Sequence, residues 1–325
     1  MTKFLICQTA FIGDVILATP IIELLKKQYP NCQIDFLLRK GNESLLQNHP
    51  HLNELLIWDK KGKKYANLIQ ILKSVRKTKY DYIINLQRFA SSGLFTAFSK
   101  AKNKIGFKKN PLSFLFTKAV PHNIGDGTHE TDRNISLIEN LVDKHHQAPV
   151  LHPQESDYDK IYKFQEGRYV CMAPASVWYT KQLSTGQWIN LCNNISEDIK
   201  IFFIGAPGDG EMCEFIAQNS NRGNFLNLCG KITLLQSAAL MEGAAMNYVN
   251  DSAPMHLASS VNAPVTAFFC STVPEFGFGP LSDNALVAQI EEELPCRPCG
   301  LHGKKSCPKK HFNCSENIPV NKFAI

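Results

Sequence analysis

The chain alternates short apolar runs with amphipathic stretches from its first residues. KFLICQ predicts a buried strand, Gly13 and Asp14 a turn, and Val15, Leu17, Ile21, Ile22, Leu24 and Leu25 recur at helical spacing. QIDFLL and ELLIWD read as strands, residues 65–78 as a helix with Leu68, Ile71, Leu72 and Val75 on one face, and YDYIINL as another buried strand. Ile135, Leu137, Ile138 and Leu141 predict a helix over 130–142. The polar, proline-containing stretch DKHHQAPVLHPQESD then has the composition of a linker. The second half restarts the alternation with RYVCMAP, a helix over 186–195, KIFFIG, a helix from Glu211, NFLNLCG, a helix over 234–242, AAMNYVN, a helix opening at Asp251, and PVTAFFC. Alternation of this kind predicts parallel sheets covered by helices, an α/β protein of two doubly wound, Rossmann-like halves facing across a cleft. The expected domains are 1–155 and 156–325.

Composition narrows the class. With 44% hydrophobic and 20% charged residues, the 325-residue chain has enough apolar surface for two cores and is neither disordered nor fibrous. No apolar run approaches the roughly 18 residues that span a bilayer. The opening MTKFLICQTAFIGDVILATP has a signal-peptide flavour, but Asp14 interrupts it and the periodicity continues through Glu23 and Lys26, which predicts a folded, cytoplasmic chain.

Charge is distributed unevenly. Residues 1–150 hold 22 Lys and Arg against 12 Asp and Glu, whereas residues 151–325 hold 13 against 17. A basic first half suits an anionic lipid surface or a polyanionic substrate, and its lysines at 60–64, 73–79 and 100–109 also fit an ordinary solvated surface. They lack the aromatic interleaving of an RNA-binding sheet, and no recognition helix is evident, so no nucleic-acid partner is expected. Seven of the eleven cysteines sit in apolar contexts. The other four, Cys296, Cys299, Cys307 and Cys314, are spaced C-x2-C-x7-C-x6-C with His311 among them, a set compatible either with a structural zinc or with reduced thiols in an irregular loop.

Four segments carry candidate chemistry. Asp14 follows the first strand, where open α/β sheets place ligands; it reads as a helix cap or as a general base. NDSAPMH, from Asn250 to His256, lies between a strand and an alanine-rich helix. Its helix start could bind a diphosphate through backbone amides and the Ser252 hydroxyl, or could simply be capped by Asp251. Gly205, Gly208 and Gly210 have the wrong spacing for a dinucleotide fingerprint, so no nicotinamide cofactor is expected, and a tight turn with Asp209 starting the next helix accounts for them. Lys181, in the loop carrying Ser176 and Thr180, would offset charge on a departing phosphate if it faced the ligand.

Taken together, these segments resemble glycosyltransferase family 9, the heptosyltransferases of the lipopolysaccharide inner core. The resemblance runs from FLICQTAFIGDVILATPIIELLK through YDYIINLQ, KIGF, APASVWYTKQLSTGQWINL and FFIGAPGD to NDSAPMHLASSVNAPVTAFF and the cysteine segment. It implies a GT-B fold and inverting, metal-independent transfer of a heptose from ADP-heptose to a lipid-linked core oligosaccharide, without a cofactor, at the inner face of the cytoplasmic membrane. By the same resemblance Asp14 matches the general base and Lys181 a contact to the donor's phosphates or sugar. Asp251 matches a contact to the donor sugar, Ser252 and Ala253 backbone donors to the diphosphate, and His256 a support of the donor site. Ser176 and Thr180 are further candidate donor contacts, and Gly13 and Arg88 candidate acceptor contacts. Two departures stand out: Ala253 replaces the family's usual Gly, and the loop after Pro174 lacks one. The rival readings are a family member using another nucleotide sugar for a different surface glycan, and a non-catalytic nucleotide-binding protein of the same fold.

Overall fold

The computed structural model describes residues 1–62, 64–143 and 146–325. Lys63 of the basic run and Lys144 and His145 of the linker stretch lie outside the described residues. The chain divides into two compact units, Met1–Ile124 with Thr128–His152, and Gly125–Gly127 with Pro153–Ile325.

The first unit is a six-stranded parallel sheet: β1 (Lys3–Cys7), β2 (Gln33–Arg39), β3 (Glu54–Trp58), β4 (Tyr82–Asn85), β5 (Asn103–Phe107) and β6 (Lys118–Val120), in the order β3-β2-β1-β4-β5-β6. Phe4, Leu5, Ile6 and Cys7 are fully buried, as a central parallel strand covered on both faces requires. Its helices are α1 (Ile12–Ile16), α2 (Thr19–Gln28), α3 (Lys64–Lys77), α4 (Ala90–Ala97) and α5 (Glu130–Ser136).

Two helices differ from the sequence expectation, each for a local reason. The apolar stripe from Val15 to Leu25 is split between α1 and α2, because Pro20 has no N–H to offer the carbonyl of Ile16. The Thr19 hydroxyl donates to that carbonyl instead, at 2.7 Å. The helix expected over 130–142 stops at Ser136, whose hydroxyl turns back to the Arg133 carbonyl at 2.6 Å, and the apolar residues beyond follow tighter turns.

The second unit repeats the plan with β7 (Tyr169–Ala173), β8 (Lys200–Phe203), β9 (Phe225–Asn227), β10 (Met246–Asn250), β11 (Val265–Phe269) and β12 (Ala285–Gln289), ordered β12-β11-β10-β7-β8-β9. Read from its own first strand, this is the same order as in the first unit. Its helices are α6 (Glu155–Ile161), α7 (Thr185–Asn194), α8 (Gly210–Gln218), α9 (Leu234–Glu242), α10 (Ala253–Ser260) and α11 (Asn313–Glu316). Trp188 of α7, Phe203, Tyr248 and Phe268 fill one core together with Cys192, Cys213, Cys270 and Cys314. The Gly205 loop is the expected tight turn, since a Cβ on Gly205 would stand 2.7 Å from the Asp209 carboxylate and 3.2 Å from the Cys229 sulfur.

Candidate functional site

In each unit the strand order reverses direction at one place, between β1 and β4 in the first and between β7 and β10 in the second. All pairings there are parallel, so the carboxyl ends share one edge and the loops leaving them diverge to leave a crevice, where open α/β sheets bind ligands. Asp14 and Gly13 follow β1 and Arg88 follows β4, while Ser176, Thr180 and Lys181 follow β7 and Asp251, Ser252 and Ala253 follow β10. Every residue predicted to act on a substrate except His256, one turn into α10, therefore lies on one of four loops or helix starts at these two crevices.

In the first unit, Asp14 closes a reciprocal turn by accepting the Phe11 amide at 3.1 Å, and it remains partly exposed. Dense protein around the carboxylate and the nearby charge of Glu130 push its pKa up to about 6, against the opposing pull of the Phe11 amide and the Arg39 guanidinium. Glu130 keeps its own charge through Arg133, whose Nε donates at 2.7 Å, and through His122 at 3.1 Å. The loop before Asp14 is pinned from three sides. The Lys60 ammonium donates to the Thr9 carbonyl at 2.7 Å, Asn42 donates to the Ala10 carbonyl at 3.0 Å, and the buried Gln8 carbonyl accepts from Gln87 on the loop after β4. Sequence reasoning missed Gln8, Gln87 and Lys60, whose single polar side chains carry no motif. Arg88 itself is exposed, with its guanidinium 5.5 Å above the Phe89 ring.

In the second unit, Lys181 and Asp251 come together. The ammonium lies 2.7 Å from the Asp251 carboxylate, with side chains 16% and 7% exposed, and Thr272 donates to the same carboxylate at 2.6 Å. Asp251 is therefore not the cap of α10. Ser252 occupies that position in an extended conformation, and the helix begins at Ala253. Pro254 carries no N–H, so the amides of Ser252 and Ala253 are the natural donors of this helix start. The Ser252 hydroxyl makes a long 3.4 Å contact to the Asn250 carbonyl, and His256 is buried one turn into α10. Asn250 staples the crevice: its Nδ2 donates to the Pro174 carbonyl at 2.6 Å and its Oδ1 accepts from the Leu183 amide at 2.8 Å. Ser176 is half-buried, and its carbonyl accepts from Gln182 at 2.7 Å.

Thr180 is buried, and its hydroxyl is engaged by Ser271 at 2.9 Å and by the Lys304 amide at 2.8 Å, so this residue positions the loop. Its amide in turn donates to the Lys304 carbonyl at 3.1 Å. The cysteine-rich segment thus forms the backing of the Lys181 loop. Gly303, at φ +73°, packs so closely that a Cβ there would meet the Lys181 side chain at 2.9 Å and the Thr180 hydroxyl at 3.1 Å. Arg297 latches the segment to the end of β11 by donating to the carbonyls of Cys270 at 2.7 Å and Thr272 at 2.8 Å. Of the four cysteines, Cys314 belongs to the apolar core, and Cys296 faces His311 at 3.8 Å. Among the described residues, the metal-competent group whose ligand atoms gather within 4.8 Å does not include this set.

Two Rossmann-like units, each with its ligand loops at the sheet's switch point, one offering a carboxylate of raised pKa and the other a cation beside a helix start, define a glycosyltransferase of the GT-B type. The chain belongs to glycosyltransferase family 9 (heptosyltransferase), whose model matches residues 68–309. It is 27% identical over 307 residues to lipopolysaccharide heptosyltransferase 3 of Escherichia coli, covering 88% of this chain and 89% of that protein. It is 26% identical to lipooligosaccharide heptosyltransferase 2 of Haemophilus influenzae, covering 90% of each. Its fold matches E. coli ADP-heptose LPS heptosyltransferase II with a TM-score of 0.78 at 20% identity over the whole of both chains.

Two variants test the site's construction. Asp14 has a folded pKa near 6 against 3.8 for an unperturbed Asp, so the stability it supplies is present in full below about pH 4 and lost as pH rises through 6. Asp14→Asn should therefore raise the unfolding free energy at pH 7.5 by about 1–3 kcal/mol and change it little at pH 4, measured by denaturant titration at both pH values. Gly303→Val should strain a left-handed position and push Lys181 aside, weakening nucleotide binding at least about tenfold in calorimetry while the chain still folds cooperatively.

Proposed function

We propose that the protein transfers a heptose from ADP-heptose to the lipopolysaccharide inner core, with inversion at the anomeric carbon. The observation that carries the reading is the family match over residues 68–309, and the Asp14 carboxylate at the carboxyl edge of the first sheet, its pKa raised by burial, is the base it offers. At neutral pH it is ionised yet still basic enough to take a proton from a sugar hydroxyl. The hydroxyl oxygen forms its bond to the anomeric carbon as the bond from that carbon to the donor's β-phosphate oxygen breaks, and ADP leaves with the electron pair.

The second unit supplies the donor contacts in this reading. The Lys181 ammonium has three N–H donors and Asp251 uses one, leaving two to meet the diphosphate as negative charge grows on the leaving group. The amides of Ser252 and Ala253 add hydrogen bonds and the dipole of α10 adds its field. Asp251, which also accepts from Thr272, is in this reading the acceptor for a donor-sugar hydroxyl.

The acceptor is anionic and membrane-bound, and the first unit has a surface suited to it. Phe114, 76% exposed, and Leu115 form a turn that packs on α4, where Leu94 and Phe98 also face solvent. Lys108 and Lys109 are exposed just before this turn. Apolar side chains that enter the headgroup region beside lysines that meet anionic lipid suit peripheral docking at the cytoplasmic leaflet.

The activity is tested by nucleotide release from ADP-, GDP-, UDP- and dTDP-linked sugars with and without a deacylated core acceptor. Acceptor-dependent ADP release from ADP-heptose is expected, and Asp14→Asn should cut kcat by at least about a hundredfold with donor binding kept. Because the base must be ionised, kcat/KM should fall about tenfold per pH unit below pH 6 and level off above it. Release from a different nucleotide sugar alone would displace heptose as the transferred group. In vesicle sedimentation, Phe114→Ser with Lys108→Glu and Lys109→Glu should reduce partitioning onto phosphatidylglycerol vesicles several-fold, and added salt should reduce that of the unaltered protein.

A further inference from the structure

A cluster of three imidazoles around one carboxylate lies in the first unit, and nothing in the transfer reaction uses it. Glu23 projects from the middle of α2 with its side chain 20% exposed. The Nε2 atom of His152 lies 3.0 Å from its Oε1, that of His49 3.5 Å from the same oxygen, and that of His51 3.5 Å from Oε2. The rings of His49 and His152 meet edge to face with centroids 4.6 Å apart. His49 is the anchor, 6% exposed with a buried Nε2 that makes no hydrogen bond while aimed at this carboxylate. A buried imidazole nitrogen without a hydrogen bond is costly, and His49 leaves its Nε2 in that state beside a carboxylate whose Oε1 already meets His152.

We propose that Glu23, His49 and His152 form a binding site for a zinc-type divalent cation, with His51 at its rim as a further ligand. The three ligating atoms already lie within 4.8 Å of one another. A tetrahedral zinc with bonds of about 2.0–2.2 Å draws its ligands to about 3.3 Å apart, a closure within the reach of side-chain rotation. Imidazole nitrogen with one carboxylate oxygen suits zinc and its late transition-metal neighbours over magnesium or calcium, which prefer all-oxygen shells. Coordination through Nε2 moves the ring proton to Nδ1, which now accepts from the His51 amide at 3.2 Å, so binding also releases this turn and lets His51 swing inward. The ion would clamp three separate pieces of chain: α2, the turn at 49–51 and residue 152, where the first unit ends.

The test is zinc chloride titrated into the chelator-stripped full chain against a chromogenic chelator, with the cysteine segment controlled for. The unaltered protein should bind one zinc that is weakened at least about tenfold in Glu23→Gln and in His152→Ala, and kept in the Cys296→Ser/Cys299→Ser variant. His152 is partly exposed, so its replacement keeps the test open should the helix substitution impair folding. Cobalt in place of zinc should give visible bands of nitrogen and oxygen ligation that persist in the cysteine variant. Zinc binding equal in all variants, zinc lost only with the cysteines, or no competitive zinc binding by the unaltered chain would each overturn the proposal.

Discussion

Each sheet depends on a buried amide side chain that holds its switch point together. Parallel strands diverge into opposite crossovers there, and no backbone ladder joins the loops that leave them. In the second unit Asn250 spans the gap by giving its N–H to Pro174 and taking that of Leu183. In the first, Gln8 and Gln87 meet across the equivalent place, and Asn85 extends the network by accepting the Gln87 amide at 2.9 Å. Buried amides are costly unless satisfied, so each fixes one loop geometry and penalises others. The candidate side chains take their positions from loops held by these bonds.

The two crevices then receive opposite electrostatic treatment. In the first, a carboxylate sits close to a second carboxylate and far from full compensation, which makes it a better base than its residue type suggests. In the second, a cation is held against a carboxylate that Thr272 also binds, which fixes its direction without exhausting its donors. A displacement at a sugar carbon needs both, a base at the attacking oxygen and positive charge at the departing one.

Most of the fold was legible because buried parallel strands read as apolar runs and the crossovers as amphipathic helices. The splitting of α1 from α2 was not, since the stripe from Val15 to Leu25 keeps its period and only Pro20 interrupts the ladder. The places of Asp14 after β1 and of Lys181 after β7 were legible from the strand pattern. For Asp251 the sequence left a helix cap and a ligand contact open, and the structure removes the cap, since Ser252 takes that position while Lys181 and Thr272 meet the Asp251 carboxylate. The roles of Gly303, of the Asn250 side chain and of the histidines around Glu23 were illegible for one common reason. Each matters through a neighbour distant in sequence, and Gly303 in particular is one glycine of an irregular segment until the Lys181 loop lies against it.

That last contact has a consequence for how the molecule is made. Lys181 leaves the ribosome well over a hundred residues before the strand of chain that backs it, and β7 and β10 can pair before that strand exists. A nascent chain stopped ahead of Gly303 and Lys304 would own its sheet, its amide staple and its charged pair, yet lack the wall against which Thr180 closes. The wall behind the Lys181 loop thus arrives late in synthesis, after the sheet, the amide staple and the charged pair that it completes.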